Sequence, residues 1–177
     1  MPAEAEQIRR ECAGYVASQW LPEVTGGCTV AGVRAENLEQ MTFADASIDV
    51  HITQDVLEHV FDPAAAFKEI ARTLKPGGVH VFTVPLVRRF AASERRARLD
   101  RDGHVVHLLA EQYHGNPVGD GRSLVTIDWG YDICDHIARA SGLHTQIIVI
   151  DDISQGIRAR LNEVLVTFKP VGEPSLL

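Results

Sequence analysis

Hydrophobic and polar positions switch between two periods along this chain, and the clearest switch lies between Glu36 and Pro85. A polar turn, Ala44-Asp45-Ala46-Ser47, leads into a short apolar run from Ile48 to Thr53. The polar cluster Gln54, Asp55, Glu58 and His59 follows. Asp62-Pro63 then opens a helix: the carboxylate can accept from free backbone N–H groups, and proline has no N–H to lose at the first helical position. Phe67, Ile70, Ala71 and Leu74 fall at helical spacing and make one apolar face. Lys75-Pro76-Gly77-Gly78 closes the helix, because Pro76 cannot continue it and either Gly77 or Gly78 can take the left-handed turn. Val79 to Val84 reads as a second strand. Two apolar strands joined by a helix of this length make a βαβ unit with a right-handed crossover, hence a parallel sheet.

The flanking segments are weaker. Within residues 1–22 the spacing of Ile8, Cys12, Tyr15, Val16 and Trp20 predicts a helix over 3–21, ended by Pro22. Thr25 to Gly32 reads as a turn, and Thr29 to Ala35 holds a short strand. Residues 86–124 form a long polar insert, a candidate lid. Arg88, Arg89, Arg95, Arg96, Arg98 and Arg101 crowd into it, with Glu94, Asp100 and Asp102 interleaved. A mixed-sign run of this kind is read as a solvated helix or loop before it is read as a phosphate grip. Asp128 to Asp132 opens a further helix with Ile133, Ile137 and Ala140 on its buried side and Gly142 at its end. Leu143 to Ile150 is a strand, and Asp151-Asp152 reads as a charged turn in preference to a cation site. Asn162 to Phe168 is the last strand, alternating at Val164, Val166 and Phe168, and 170–177 is a tail.

Composition narrows the class. The 177 residues predict a single domain, and an apolar fraction of 45% supports a sizeable core. A net charge of −7 disfavours nucleic acid as the main partner. Cys12, Cys28 and Cys134 are odd in number and far apart, so no disulfide framework is expected and a reducing compartment, the cytoplasm, is the expected location. No apolar run reaches membrane-spanning length.

Three blocks carry a resemblance: Phe43 to Asp49, Asp55-Val56-Leu57-Glu58-His59-Val60, and Leu74-Lys75-Pro76-Gly77-Gly78. In order and spacing they are similar to the central half of class I S-adenosylmethionine (SAM)-dependent methyltransferases, and most of all to the type 11 methyltransferase domain. The resemblance implies an α/β fold, a partial Rossmann-like sheet that is mostly parallel, with a C-terminal antiparallel hairpin and flanking helices. It implies SAM as cofactor. It also marks a departure. The family opens with a strand, a GxGxG loop, a helix and a second strand ending in an acidic residue. Gly26, Gly27 and Gly32 have other spacing and read as a turn. In family terms the sequence starts near the third strand, so the glycine-rich SAM-binding half is expected to be lost, replaced or carried elsewhere on a longer chain.

By this resemblance Asn37 and Leu38 match the pair that touches the adenine edge. Gln54 and Asp55 follow a strand end, where open parallel sheets bind ligands, and are candidate cofactor contacts. Asp55 is otherwise expected to cap the turn through Leu57 and His59. Glu58 and His59 can act as base or orienting groups. His59, Tyr113 and His114 are the residues expected to face the acceptor, the last two because Glu111 to Pro117 resembles a segment of the same family. Gly115-Asn116-Pro117 is also strong turn chemistry. His104, His107 and His114 lack the spacing and fixed third ligand of a zinc site, so no metal is expected.

Two functions remain open at this level. One is methyl transfer from SAM to a small-molecule or glycan-type acceptor, in which alignment does most of the work and no fixed dyad is needed. The other is a non-catalytic relative acting as an oligomeric interaction or regulatory module. In the parent fold a strand lies beside Asp49–Thr53. Without it an apolar edge and face are expected to be exposed, and a homo-oligomer, with the N-terminal helix across that edge, is the expected remedy.

Overall fold

The structure is a computed structural model, and it describes residues 3–116 and 121–172. Pro117 of the expected turn and residues 173–177 of the expected tail lie outside the described residues. In chain order the elements are α1 (Ala3–Glu11), β1 (Ser18–Gln19), β2 (Thr29–Val30), β3 (Val33–Ala35), β4 (Ile48–Gln54), α2 (Pro63–Thr73) and β5 (Leu74–Thr83). Then come β6 (Glu94–Arg95), β7 (Ala97–Leu99), β8 (Val105–His107), β9 (Tyr113–Gly115), β10 (Arg122–Leu124) and β11 (Ile127–Asp128). The chain ends with α3 (Ile133–Ser141), β12 (His144–Val149) and β13 (Glu163–Phe168).

The βαβ unit forms as its residues dictate. Asp62 accepts from Ala65 N–H at 3.0 Å and Pro63 begins α2. Ala66, Phe67 and Ile70 are its buried side. The helix stops at Thr73, one residue short of Leu74: Leu74 is already extended, and β5 starts there. Gly77 does take a left-handed backbone, with φ 81°. Gly78 has a different reason to be glycine, since a Cβ would lie 2.9 Å from the Lys75 carbonyl and 3.0 Å from that of Asp49.

The main sheet has strand order β12-β13-β5-β4. Only β4 and β5 are parallel, while β13 runs antiparallel to both of its neighbours. The expectation of a mostly parallel sheet is therefore corrected. A single βαβ crossover feeds this sheet, so it holds a single parallel pair, and the C-terminal hairpin supplies the rest.

The two faces of this sheet differ. Thr53, Phe82, Leu165 and Ile147 stand in one cross-strand row, and His51, His80, Thr167 and Thr145 in the next. Both rows lie on the side that buries Phe82, Leu165 and His80, where α2 and α3 pack together. Phe82 is 1% exposed and joins Leu57, Phe67, Trp129, Ile133 and Ile137 in one core. The opposite side presents Val50, Val79 and Phe168 in one row and Ile52, Val81 and Val166 in another. Ile52 is 61% exposed, and no helix among the described residues covers it. The Val164, Val166 and Phe168 alternation thus marks the uncovered face, and Glu163, Leu165 and Thr167 are the buried set.

Residues 12–22 do not continue α1. Gly14 lowers helix propensity there, and the chain instead turns into β1, which pairs parallel with β3. β2 and β3 form a tight hairpin through Ala31 and Gly32, both at positive φ (49° and 80°). α1 is tied to this small sheet by Arg9 donating to the Gly32 carbonyl at 3.1 Å, and its described side chains are mostly exposed. It does not lie across β4. The insert holds strands rather than a helix: β7 pairs with β8 and β9 with β10 as hairpins, and β6 pairs antiparallel with β11 beyond the insert. Its arginines are mostly engaged internally. Arg96 pairs with Asp128 at 2.7 Å, Arg88 with Glu94 at 2.5 Å, Arg89 with Glu163 at 3.0 Å, and Arg95 donates to the Phe61 carbonyl.

Candidate functional site

Beyond the carboxyl end of β4 the chain makes a tight turn. Asp55 has φ 50°, and its carboxylate accepts from the Thr83 hydroxyl at 3.0 Å rather than capping the turn. His59 N–H donates to the Val56 carbonyl and closes it. The turn is then locked from the other side. Thr126 N–H donates to the Glu58 carbonyl at 2.8 Å, and Trp129 Nε1–H donates to the Leu57 carbonyl at 3.2 Å. Leu57 and Glu58 are consequently buried, while His59 keeps partial access.

The turn brings three side chains together. His114, on β9, places Nδ1 3.4 Å from Glu58 Oε1. His59 Nε2 is 3.6 Å from the same oxygen. The two imidazoles meet edge to face with centroids 5.1 Å apart. His59 Nδ1 lies 2.8 Å from the Leu124 carbonyl. A carbonyl can only accept, so Nδ1 carries the proton and Nε2 of the neutral ring is an acceptor. Burial pushes the Glu58 carboxyl up to about 7 and pulls His59 below its ordinary value. His59 and His114 are thus gathered as the sequence suggested, with Glu58 at their centre. Tyr113 is not: as the neighbour of His114 on β9 it points to the other face, where its hydroxyl donates to Glu111 at 2.8 Å.

The expected cofactor contacts fall in two places. Asn37 lines an open cleft of about 460 Å³, with Trp20, Pro22, Glu36, Gln40 and Met41 around it. Its side-chain oxygen accepts from Glu39 N–H at 2.9 Å. Leu38, next in sequence, instead packs into the core. Gln54 and Asp55 sit at the end of β4, and no hydrogen bond joins them to Asn37 among the described residues. The loop carrying Asn37 is held by two hubs that sequence reasoning missed. Glu36 accepts from Arg34 and from Thr42, which keeps its carboxyl below the usual range although burial opposes this. Arg72 of α2 holds Glu69, Asp45 and the carbonyls of Met41 and Phe43. No periodic signal marks either residue, because each acts on backbone groups of a loop.

SAM fits this surface only in part. An open cleft lined by Trp20 and Met41, with an amide at Asn37, offers an apolar wall and a polar contact of the kind a purine uses. The ribose hydroxyls want a carboxylate, and Glu36, the acid in the lining, is already committed to Arg34 and Thr42. Gly27 and Gly32 are turn residues of the small sheet, both at positive φ.

Residues 14–82 match the family model described as a methyltransferase domain. Over that stretch the chain is similar to a methyltransferase domain. It is 44% identical over 54 residues to a dimethylglycine N-methyltransferase of Parasynechococcus marenigrum, covering 30% of this chain and 19% of that protein. It is 39% identical over 66 residues to a "Probable S-adenosylmethionine-dependent methyltransferase" of Mycolicibacterium smegmatis, covering 32% and 26%. The matches therefore span about a fifth to a quarter of these relatives' own lengths. A crystal structure of an S-adenosylmethionine-dependent methyltransferase from Mesorhizobium loti superposes with a TM-score of 0.46 at 18% identity, over 93% of this chain and 76% of that one.

Proposed function

We propose that the chain takes part in SAM-dependent methyl transfer to a small-molecule or glycan-type acceptor. The observation that carries this is the gathering of His59 and His114 around Glu58 beyond the carboxyl end of β4, within and beside the segment that matches the family. That is where an open parallel pair receives ligands. SAM, when bound, supplies an electrophilic methyl group. This chain's part is to hold the adenine end near Asn37, to present Gln54 and Asp55 at the strand end, and to orient the acceptor with His59 and His114. Alignment of this kind contributes much of the rate in displacement reactions.

The bare sheet face favours a second element in the same reading: a second copy of this chain covers it. The open edge of β4 and the rows led by Val50 and Ile52 are continuous, and a strand edge can pair with its own copy about a two-fold axis. Unpaired cysteines support a reducing, cytoplasmic setting, and no helix of the described residues is long and apolar enough to cross a membrane.

Calorimetric titration of the purified chain with SAM and S-adenosylhomocysteine tests the reading. Binding in the micromolar range, weakened about tenfold or more by Asn37→Ala or Gln54→Ala, is expected. Absence of binding up to millimolar ligand contradicts it, and the rival then stands: a methyltransferase relative that works through its interaction surface.

A further inference from the structure

The Glu58 carboxylate is 2% exposed, and neither of its oxygens has a hydrogen-bond partner among the described residues. A buried polar atom left so is costly, and it calls for an explanation by a ligand. The His59 ring offers it no donor. His59 has its proton on Nδ1, committed to the Leu124 carbonyl, so Nε2 turns a lone pair toward Glu58 Oε1 at 3.6 Å. His114 Nδ1 approaches the same oxygen at 3.4 Å, and all three ligand atoms lie within 4.8 Å of one another. A carboxylate and two imidazoles converging on one point fit a cation.

We propose that Glu58, His59 and His114 form a binding site for a divalent transition-metal ion of the zinc type. Two imidazoles and one carboxylate suit zinc and its first-row neighbours; magnesium and calcium prefer more oxygen ligands. Bonds of roughly 2.0–2.2 Å in tetrahedral array put ligand atoms about 3.4 Å apart, so two of the three spacings need little adjustment. The shell behind the ligands is built for the task. The Leu124 carbonyl fixes the tautomer and orientation of His59, and Thr126 fixes the backbone of Glu58 through N–H and hydroxyl bonds at 2.8 Å and 3.1 Å. β9 carries His114 in register with Ser123 of β10, so the third ligand sits on a hairpin rather than a free loop. The His59 and His114 side chains are 19% and 32% exposed, which leaves a coordination position open to an incoming oxygen or nitrogen. The site is independent of whether SAM binds this chain.

The test uses the full chain, stripped with chelator, and zinc chloride as probe, followed by cobalt(II) for its visible spectrum. One zinc per chain is expected, with cobalt bands of a nitrogen- and oxygen-ligated tetrahedral or five-coordinate ion. Glu58→Gln and His114→Ala should each weaken zinc binding about a hundredfold or more, with circular dichroism unchanged. His104→Ala, in the exposed Asp100–Asp102–His104 group, should leave it unaffected. His114 is half-exposed on a hairpin, so its variant tests the site even if Glu58→Gln folds poorly. Failure to bind one equivalent, or binding indifferent to His114→Ala, overturns the proposal.

Discussion

The two faces of the main sheet are made from the same four strands, yet one is finished and the other is not. Under α2 and α3, Phe82, Leu165, Trp129 and Phe67 pack into one core, and even the polar residues of that face are paired. His51 Nε2 lies 2.8 Å from Thr73 Oγ1, His80 Nε2 lies 2.9 Å from Thr53 Oγ1, and Thr145 bonds Thr167 at 2.7 Å. The other face offers Val50, Ile52, Val81, Val166 and Phe168 with no cover among the described residues. Sequence alternation alone gives two apolar faces on β5 and β13. The helices choose which becomes core, and the remaining face is where the account expects a partner.

The largest effect that separates the faces is at Trp129, fully buried and bonded to the Leu57 carbonyl. Trp129→Ala should cost about 3–5 kcal/mol in urea unfolding and loosen the Glu58 turn with it. A loss below about 1 kcal/mol would mean that the covered face is not the core.

Next in size is an acid response confined to the covered face. Burial lowers His80 to about 3 and His51 to about 4. Both are neutral in the fold and charge on unfolding near 6.5, so the unfolded state binds more protons at lower pH. Stability is therefore full above about pH 6.5 and declines from there toward pH 3, by an amount on the order of a few kcal/mol. His80→Leu should flatten that part of the pH–stability curve, and an unchanged slope would contradict the assignment.

The smallest effect is expected on the bare face. Ile52→Asp should change the stability of the isolated chain by about 0.5 kcal/mol or less, as exposed positions do. A large loss at concentrations where the chain is dissociated would show that Ile52 is part of a core within one chain.

The sequence made much of this visible, and unevenly. Asp62-Pro63, the Phe67–Ile70 spacing and Pro76-Gly77 specify β4–α2–β5 because each is a local signal with its own mechanism. The N-terminal helix was overread because apolar spacing from Ile8 to Trp20 ignores Gly14. The strands of the insert were not legible because charge pattern does not reveal that Arg88 pairs with Glu94, Arg95 reaches the Phe61 carbonyl and Arg96 pairs with Asp128. His59 and His114 were legible as candidates. Their meeting at Glu58 was not, since 55 positions of chain separate His114 from His59 and only the β9–β10 hairpin brings them together. Tyr113 stands apart from them for a simpler reason: neighbours on a strand face opposite ways.

The most direct test of the central contrast is sedimentation velocity of the chain at micromolar concentration, wild type beside Ile52→Asp. The account predicts a dimer or higher oligomer for the wild type and a folded monomer for the variant. A wild-type chain that sediments as a monomer would contradict it.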